Sequence, residues 1–388
     1  MSEDTEMKIV IMGGKLQGVE AAYLARKAGW HVVVIDRSAD IPAFGLAHTF
    51  IRDDIRTPAD LEAYTADADL LLPAMENSTT LACLQKFSLR QDVPVLFDFE
   101  AYKLTSSKTE SNNLFDRLGI PTPRPWPACG FPLLVKPSYG SGSRAVRVHR
   151  DARRFELPSG QWPERHVIQE FVEGPQFSIE VVGCPGAYLA LQVTELEVDP
   201  SFDCKRVTAP SGLPPELEAA FQAVAVRIAD ALHLKGLMDV EAVLHEGKFK
   251  ILEIDARFPS QTPTAVWESS GVNMLEMLAD FFLSPPAVQK STARRHQGVI
   301  YEHIRVSRGK LEVVGEHAMS QAGALQVQTD FFGADEALTD FHIQKETWVA
   351  TLICTETTRR DAWQKRNQVV ADICRHFEIR DTSDSTGV

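Results

Sequence analysis

Residues 238–257 read M-D-V-E-A-V-L-H-E-G-K-F-K-I-L-E-I-D-A-R, and the rest of the reading works outward from their alternation. Two alternating apolar and polar runs flank a turn near Gly247, which predicts an antiparallel hairpin from Leu237 to Ile254. Successive side chains of a strand point to opposite faces. Asp239 and Glu241 therefore share a face, and Glu253 and Asp255 share a face of the partner strand. A three-residue loop, His245-Glu246-Gly247, pairs Leu244 with Lys248 and sets Asp239 opposite Glu253. Met238, Val240, Ala242, Leu252 and Ile254 then form the apolar side. Like charges facing each other weaken a sheet unless a cation sits among them. Oxygen donors at this density, with Arg257 beside them, suit Mg²⁺, which takes one or two carboxylates and fills its remaining positions with phosphate and water. A solvated polar face is the competing reading.

Before the hairpin lies an amphipathic helix over Glu216 to Leu232, with Leu217, Phe221, Val224, Ile228 and Leu232 on one stripe. Further back are strands at Phe131 to Val135, His166 to Phe171 and Phe177 to Val182. The first runs into Lys136, followed by P-S-Y-G-S-G-S-R at residues 137–144. A lysine after an apolar strand, with a small flexible loop whose N–H groups can wrap oxygens, suits a triphosphate; a surface hairpin turn is the alternative. It is not G-x-x-x-x-G-K-[ST]. Residues 169–180, Q-E-F-V-E-G-P-Q-F-S-I-E, form an extended segment broken at Gly174-Pro175 that can present backbone groups to an adenine edge.

The first hundred residues alternate strand and helix: Lys8 to Met12, Val19 to Ala28, His31 to Ile35, Leu70 to Leu72 and Val93 to Phe97. This predicts a βαβ unit and a parallel sheet. Residues 13–18, G-G-K-L-Q-G, with Asp36 beyond, approximate a dinucleotide fingerprint but carry Lys15 where it wants glycine. A helix N-terminus there can hold any anion, and a tight turn without a ligand is the other reading. A polar break spans Lys103 to Ser111, a short helix Asn112 to Leu118, and a proline-rich extended segment follows. Beyond residue 290 come short strands (Val299 to Val306, Leu325 to Thr329, Val349 to Thr355), a closing helix from Arg359 to His376, and a polar tail, Asp381 to Val388, expected to fray. The domain division is 1–105, 106–290 and 291–380, with 381–388 as the tail.

The chain has 388 residues, 44% hydrophobic and 24% charged, the balance of a soluble globular protein. Its net charge of −13 argues against nucleic-acid or membrane-surface partners. No apolar run reaches membrane-spanning length, and the acidic start from Met1 to Met7 is unlike a signal peptide, so a cytoplasmic location is expected. Six scattered cysteines suggest reduced thiols rather than zinc or disulfides. G-x-S-x-G and H-E-x-x-H are absent.

Taken in order, the βαβ unit, Lys108, Lys136 with its loop, Q-E-F-V-E-G-P, D-V-E and E-I-D-A-R resemble the ATP-grasp superfamily of carboxylate–amine ligases, over roughly residues 8–290. Residues 13–29 (G-G-K-L-Q-G-V-E-A-A-Y-L-A-R-K-A-G) and 238–266 look narrower still. They resemble the pyrrolysine-biosynthesis ligase family, which joins 3-methyl-D-ornithine to the ε-amine of L-lysine. The resemblance implies an α/β (α+β overall) ATP-grasp fold with a Rossmann-like N-terminal domain and a β-rich C-terminal domain. It implies ATP and Mg²⁺, small amino-acid substrates, and an amide formed through an acyl phosphate; oligomeric state stays open.

Position by position, it makes Lys108 and Lys136 the ATP-phosphate lysines, and Ser138, Gly140, Ser141, Gly142 and Ser143 the loop closing over the phosphates. Glu170, Phe171 and Val172 would run along the adenine. Glu241, Glu253 and Asp255 would hold Mg²⁺, and Arg257 would steady the acyl phosphate. Asp255 stands where many relatives carry Asn. Gln176 stands where a ribose-binding acid is usual, with Glu173 a substitute. Candidate substrate contacts are Lys15, Leu16, Gln17, Glu76 and Asn77 in the first domain, Ser178, and Ser260, Gln261 and Thr262. Glu180 or Asp239 could hold a substrate ammonium and accept its proton. The alternatives are another amino-acid or dipeptide ligase, a nicotinamide-dependent oxidoreductase using the first domain, and a non-catalytic nucleotide binder.

Overall fold

The computed structural model describes residues 6–143, 145–155, 165–284 and 295–385. Residues 1–5 of the acidic start, Arg144 of the loop, the boundary expected at residue 290 and residues 386–388 of the tail lie outside these ranges.

The N-terminal sheet is β1 (Lys8–Met12), β2 (His31–Asp36), β3 (Thr49–Arg52) and β4 (Leu70–Pro73), all parallel in the order 3-2-1-4. Helices α1 (Leu16–Lys27), α2 (Pro58–Thr65) and α3 (Ser78–Ser88) cover it. The strand expected at Val93 to Phe97 shrinks to one parallel bridge, Leu71 to Val95. Pro94 has no N–H to continue a ladder; its carbonyl accepts from Leu71 N. The expected polar break at Lys103 to Ser111 is instead two helices, α4 (Phe99–Thr105) and α5 (Lys108–Leu118). Serine suits loops and helix caps alike, and here Ser107 caps α5, its hydroxyl accepting from Glu110 N.

A small antiparallel sheet follows: β5 (Leu133–Pro137) between β6 (Arg147–His149) and β7 (His166–Glu170). The remaining strands form one twelve-stranded sheet. They are β8 (Gln176–Cys184), β9 (Ala187–Ala190), β10 (Thr194–Val198), β11 (Cys204–Ala209), β12 (Gly236–His245), β13 (Lys248–Asp255), β14 (Gly298–Ser307), β15 (Lys310–Val313), β16 (Gln326–Phe331), β17 (Ala334–Thr339), β18 (Trp348–Glu356) and β19 (Asp381–Asp384). Its main path runs 13-12-8-10-11-14-18-17-16, so the hairpin and the C-terminal strands share one surface. Helix α6 (Pro215–Leu232) packs Phe221 and Ile228 against Met238, Val240, Ile251 and Ile254. Helices α7 (Pro263–Ser270), α8 (Met274–Leu283), α9 (His317–Ser320) and α10 (Arg359–His376) complete the fold. Among the described residues no helix is long and apolar enough to cross a membrane.

Two expectations are corrected here. The tail does not fray through residue 384: β19 pairs in parallel with β15, and Asp384 accepts from the buried Lys205 Nζ at 2.5 Å and Arg206 Nη2 at 2.6 Å. The polar composition thus reflects partners for buried cations. The hairpin register also differs. His245, not Leu244, pairs with Lys248, across a two-residue turn with Glu246 and Gly247 at φ 50° and 74°. Continued unbroken, that register would set Glu241 against Leu252 and turn half the acids away. A bulge at Leu252 restores the face: Glu241 lies opposite Glu253, and Asp239 opposite Asp255. Ile251 takes the core place expected of Leu252.

Glu20 of α1 binds the N-terminal unit to the large sheet. It is fully buried, with Tyr301 Oη donating to Oε1 at 2.6 Å and Thr264 N donating to Oε2 at 2.8 Å. Burial lifts its carboxyl to about 7 from the usual 4.5, against the pull of those hydrogen bonds. Because the folded-state value is raised, the folded chain keeps a proton that the unfolded chain releases. The associated stability is complete below pH 4.5 and is lost as pH rises to about 7. The whole contribution is on the order of 3 kcal/mol. Glu20→Gln keeps the neutral shape at every pH. Relative to the parent, its melting temperature should improve steadily from about pH 5 to about pH 8, and thermal melts across that range check it.

Candidate active site

A cavity of about 1500 Å³ opens between the N-terminal sheet, the small sheet and the large sheet. Its floor is the carboxylate face of β12 and β13, where the bulge has a second consequence. Lys136, at the end of β5, donates from Nζ to the Leu252 carbonyl at 3.0 Å. An unpaired bulge carbonyl thus anchors a lysine aimed into the cavity, and Leu252 itself lines the wall.

Cations and carboxylates interleave on this floor. Lys108 Nζ, on the first turn of α5, lies 2.6 Å from Glu253 Oε1 and donates to the Gly140 carbonyl at 2.6 Å. Arg257 Nη2 donates to Asp255 Oδ2 at 3.0 Å. Its Nε lies 2.9 Å from Glu76 Oε1, an ion pair without hydrogen-bond alignment. Burial pushes Glu241 up to about 7, with the facing Glu253 adding to it. Burial also raises Asp255, against the pull of Arg257, and raises Asp239, with Asp255 adding to it. Burial lowers Lys136. Lys108 is buried too, yet the charges of Glu253 and Asp255 raise it. The floor therefore holds more negative charge than its own cations balance, and Asp239 Oδ1 has no partner among the described residues.

Glu76 joins three walls. Gln17 Nε2 donates to Oε1 at 3.2 Å, Ser141 Oγ donates to Oε2 at 2.9 Å, and Arg257 sits beside it. Lys15, Leu16, Asn77, Ser178, Asp239, Ser260, Gln261 and Thr262 also line the cavity, as do Gly140, Gly142 and Ser143. Asn77 has its side-chain oxygen committed to capping α3 through Thr80 N.

The structure corrects two placements. Ser138 is fully buried outside the cavity lining, its hydroxyl bonded to Thr109 Oγ1 at 2.8 Å, where it ties β5 to α5. Glu180 lies behind the wall: the Thr262 hydroxyl donates to it, Ser178 lies beside it, and burial lifts it to about 7. The expected adenine edge, Glu170, Phe171 and Val172, does line the cavity, with Glu170 N and Phe171 N donating to the Arg124 and Pro132 carbonyls. Of these three amides only that of Val172 is free among the described residues. The Glu170 carboxylate is held down at about 2, against burial, by Lys250 and Arg124. Glu173 is half exposed and lines the cavity with Gln176.

Sequence reasoning missed Asp203, Glu316 and His317, which also line the cavity. They stand outside every spacing that marked the other residues; only long-range strand order brings them here.

Residues 105–261 match the ATP-grasp domain family. The 3-methyl-D-ornithine–L-lysine ligase of Methanosarcina mazei is 35% identical, over 95% of this chain and 96% of that protein. The ligase of the same name from Methanosarcina acetivorans is 38% identical, over 80% of this chain and 84% of its own length. Among solved structures, the Campylobacter jejuni biotin carboxylase–β,γ-ATP complex superposes with a TM-score of 0.73 at 13% identity, covering 94% of this chain and 91% of its own. The chain therefore belongs to the family of the 3-methyl-D-ornithine–L-lysine ligases, ATP-dependent carbon–nitrogen ligases of the ATP-grasp fold.

Proposed function

We propose that this protein joins the carboxylate of 3-methyl-D-ornithine to the ε-amine of L-lysine, converting ATP to ADP and phosphate. The observation that carries the chemistry is the convergence of Lys108, Lys136 and Arg257 on the carboxylate face of β12 and β13 in one cavity. The relatives' names support the substrates.

A carboxylate is a poor electrophile, so it first takes the γ-phosphoryl group and becomes an acyl phosphate; the amine then displaces phosphate. Neither step needs a protein nucleophile. The task is positioning and charge neutralisation. Lys108 and Lys136 supply point charges for the triphosphate, and the loop through Gly140, Ser141, Gly142 and Ser143 offers backbone N–H groups. Val172 N–H is the free donor for the base. Arg257, pinned by Asp255 and Glu76, presents its fork where the phosphoryl group meets the carboxylate.

No group of three converging metal donors stands ready among the described residues. The donor chemistry nevertheless fits Mg²⁺, which needs only one or two carboxylates. Glu241 faces Glu253, and burial and mutual repulsion lift Glu241. Glu241 and Glu253, with Asp255 beside them, would hold the ion, and when bound it supplies positive charge between the phosphates.

The test is ADP release with Mg-ATP, L-lysine and D-ornithine, a stand-in without the methyl group, with mass spectrometry of the product. The expected result is ADP release that needs both amino acids and a product mass equal to their sum less water. ADP release that needs neither overturns the substrate assignment. Lys136→Ala should raise the KM for ATP about 10- to 100-fold, as loss of a hydrogen bond to a charged group implies, with little change in either amino acid's KM. The reverse pattern moves Lys136 to the amino-acid side.

A further inference from the structure

A second group of buried carboxyls faces the cavity from elements that carry none of the expected site residues. Asp203 directly precedes β11 and Glu316 directly precedes α9; they are 5% and 4% exposed. Asp203 Oδ2 accepts from the His317 backbone N–H at 2.8 Å and lies 2.7 Å from the ring Nδ1. Its other oxygen, Oδ1, has no partner among the described residues, and neither does Glu316 Oε2. Buried acceptors without donors are rare in folded chains. Two of them on residues lining one cavity mark a place where a ligand brings its own donors. Burial, with the charge of Asp203 adding to it, pushes Glu316 up to about 8, although Gln261 and Ser260 beside it pull the other way.

The neighbours locate the cluster against the reacting groups. A Cβ on Gly142 would come within 3.1 Å of His317 Nε2, so the serine–glycine loop passes directly over the imidazole. Ser143 Oγ donates to the Phe202 carbonyl at 2.5 Å, next to Asp203. The carboxyls therefore sit beneath the loop expected to cover the phosphates, where a substrate group would lie close to the transferring phosphoryl.

We infer that Asp203 and Glu316 form a subsite for a primary ammonium group of an amino-acid substrate. This rests on the ligase reading above and deepens it. A primary ammonium carries three donors and no acceptor; it has donors for both orphaned oxygens and supplies the charge the two carboxyls lack. An apolar side chain would leave both unpaired. Each proposed substrate carries such a group, in the side chain or at Cα of ornithine or at Cα of lysine, and the experiment tells the two substrates apart.

The experiment is calorimetric binding of D-ornithine and of L-lysine, each with a non-hydrolysable ATP analogue present, to the parent protein and to Asp203→Asn and Glu316→Gln separately. Each variant is expected to lose affinity for the same one amino acid, about 10- to 100-fold. Affinity for the other amino acid and for the ATP analogue should hold within about threefold, well short of the loss of one charged hydrogen bond. The amino acid that weakens identifies the substrate whose ammonium binds here. Either variant suffices, so misfolding of one, seen as a collapsed melting transition, leaves the test standing. Unchanged affinity for both amino acids overturns the subsite, and so does an equal loss for the ATP analogue. A parent that binds neither amino acid also overturns it. A parent that binds an amino acid but never ligates it overturns the ligase reading alone, and loss of that binding in the variants then still supports the subsite.

Discussion

Glu253→Gln should cut turnover by at least about 10²- to 10³-fold, the loss typical of removing one preorganised charge-stabilising group, while the chain stays folded. Glu253 faces Glu241 across the hairpin and pairs with Lys108 at 2.6 Å. The amide keeps the volume and one acceptor oxygen. It loses the charge that orients Lys108 and half of the facing carboxylate pair proposed to hold Mg²⁺. The side chain is one-quarter exposed and on the cavity side, so no core packing is lost. The melting temperature should therefore stay near the parent's. Half-saturation in Mg²⁺ should move up, since one of two facing donors has lost its charge. ADP release at saturating ATP and amino acids, with a magnesium titration, checks both parts. Turnover within a few-fold of the parent and an unmoved magnesium curve would remove Glu253 from the metal set.

Much of this floor was legible because strand alternation is local. Asp239, Glu241, Glu253 and Asp255 declared a common face through period two alone. The register was not legible, because it rests on a bulge. Nothing in K-I-L-E distinguishes a regular strand from one whose Leu252 is squeezed out. The face survived the wrong register because two shifts add: the two-residue turn moves the pairing by one residue, the bulge moves it one further, and a displacement of two residues keeps every side chain on its face. Lys136 was found from its strand-then-loop setting, but its anchor, the Leu252 carbonyl, could not be found before the bulge was known.

Other failures were failures of range. Ser107 and Ser138 read as loop residues because serine favours turns and caps equally in a local window. The contact between α5 and β5 decides between them. Asp203 and His317 are far apart in the chain, and only the path β10–β11–β14 brings them to one wall. The tail shows the same limit: a polar run looks frayed until the buried Lys205 and Arg206 that need its Asp384 are in view.

Arg257→Met should be the most damaging substitution in the chain, lowering turnover about 10³- to 10⁵-fold, the range for an arginine acting on a transferring phosphoryl group. Arg257 is held from two sides at once, by Asp255 from the hairpin and by Glu76 beyond β4, which Gln17 and Ser141 also bind. The guanidinium is thus set in place before substrate arrives. Arg257→Lys keeps the charge but cannot reach both carboxylates with one planar fork, so it should recover only part of the loss.

The methionine variant also carries a stability signature that separates loss of chemistry from loss of fold. Arg257 pulls down Asp255 and Asp239, which burial holds above the usual carboxylate range. Without it both rise further. Toward low pH the carboxyls are protonated with or without Arg257, and the variant should melt near the parent; as pH rises the folded variant must keep protons that its unfolded chain releases, or ionise unpaired, and a broken buried pair costs about 3–5 kcal/mol. The melting difference should therefore widen with pH. The catalytic defect should persist at the lower pH, because protonating the carboxyls restores the fold but returns no cation to the phosphoryl group. Activity that recovers along with the melting temperature at low pH would instead make Arg257 a structural counter-ion for the acids.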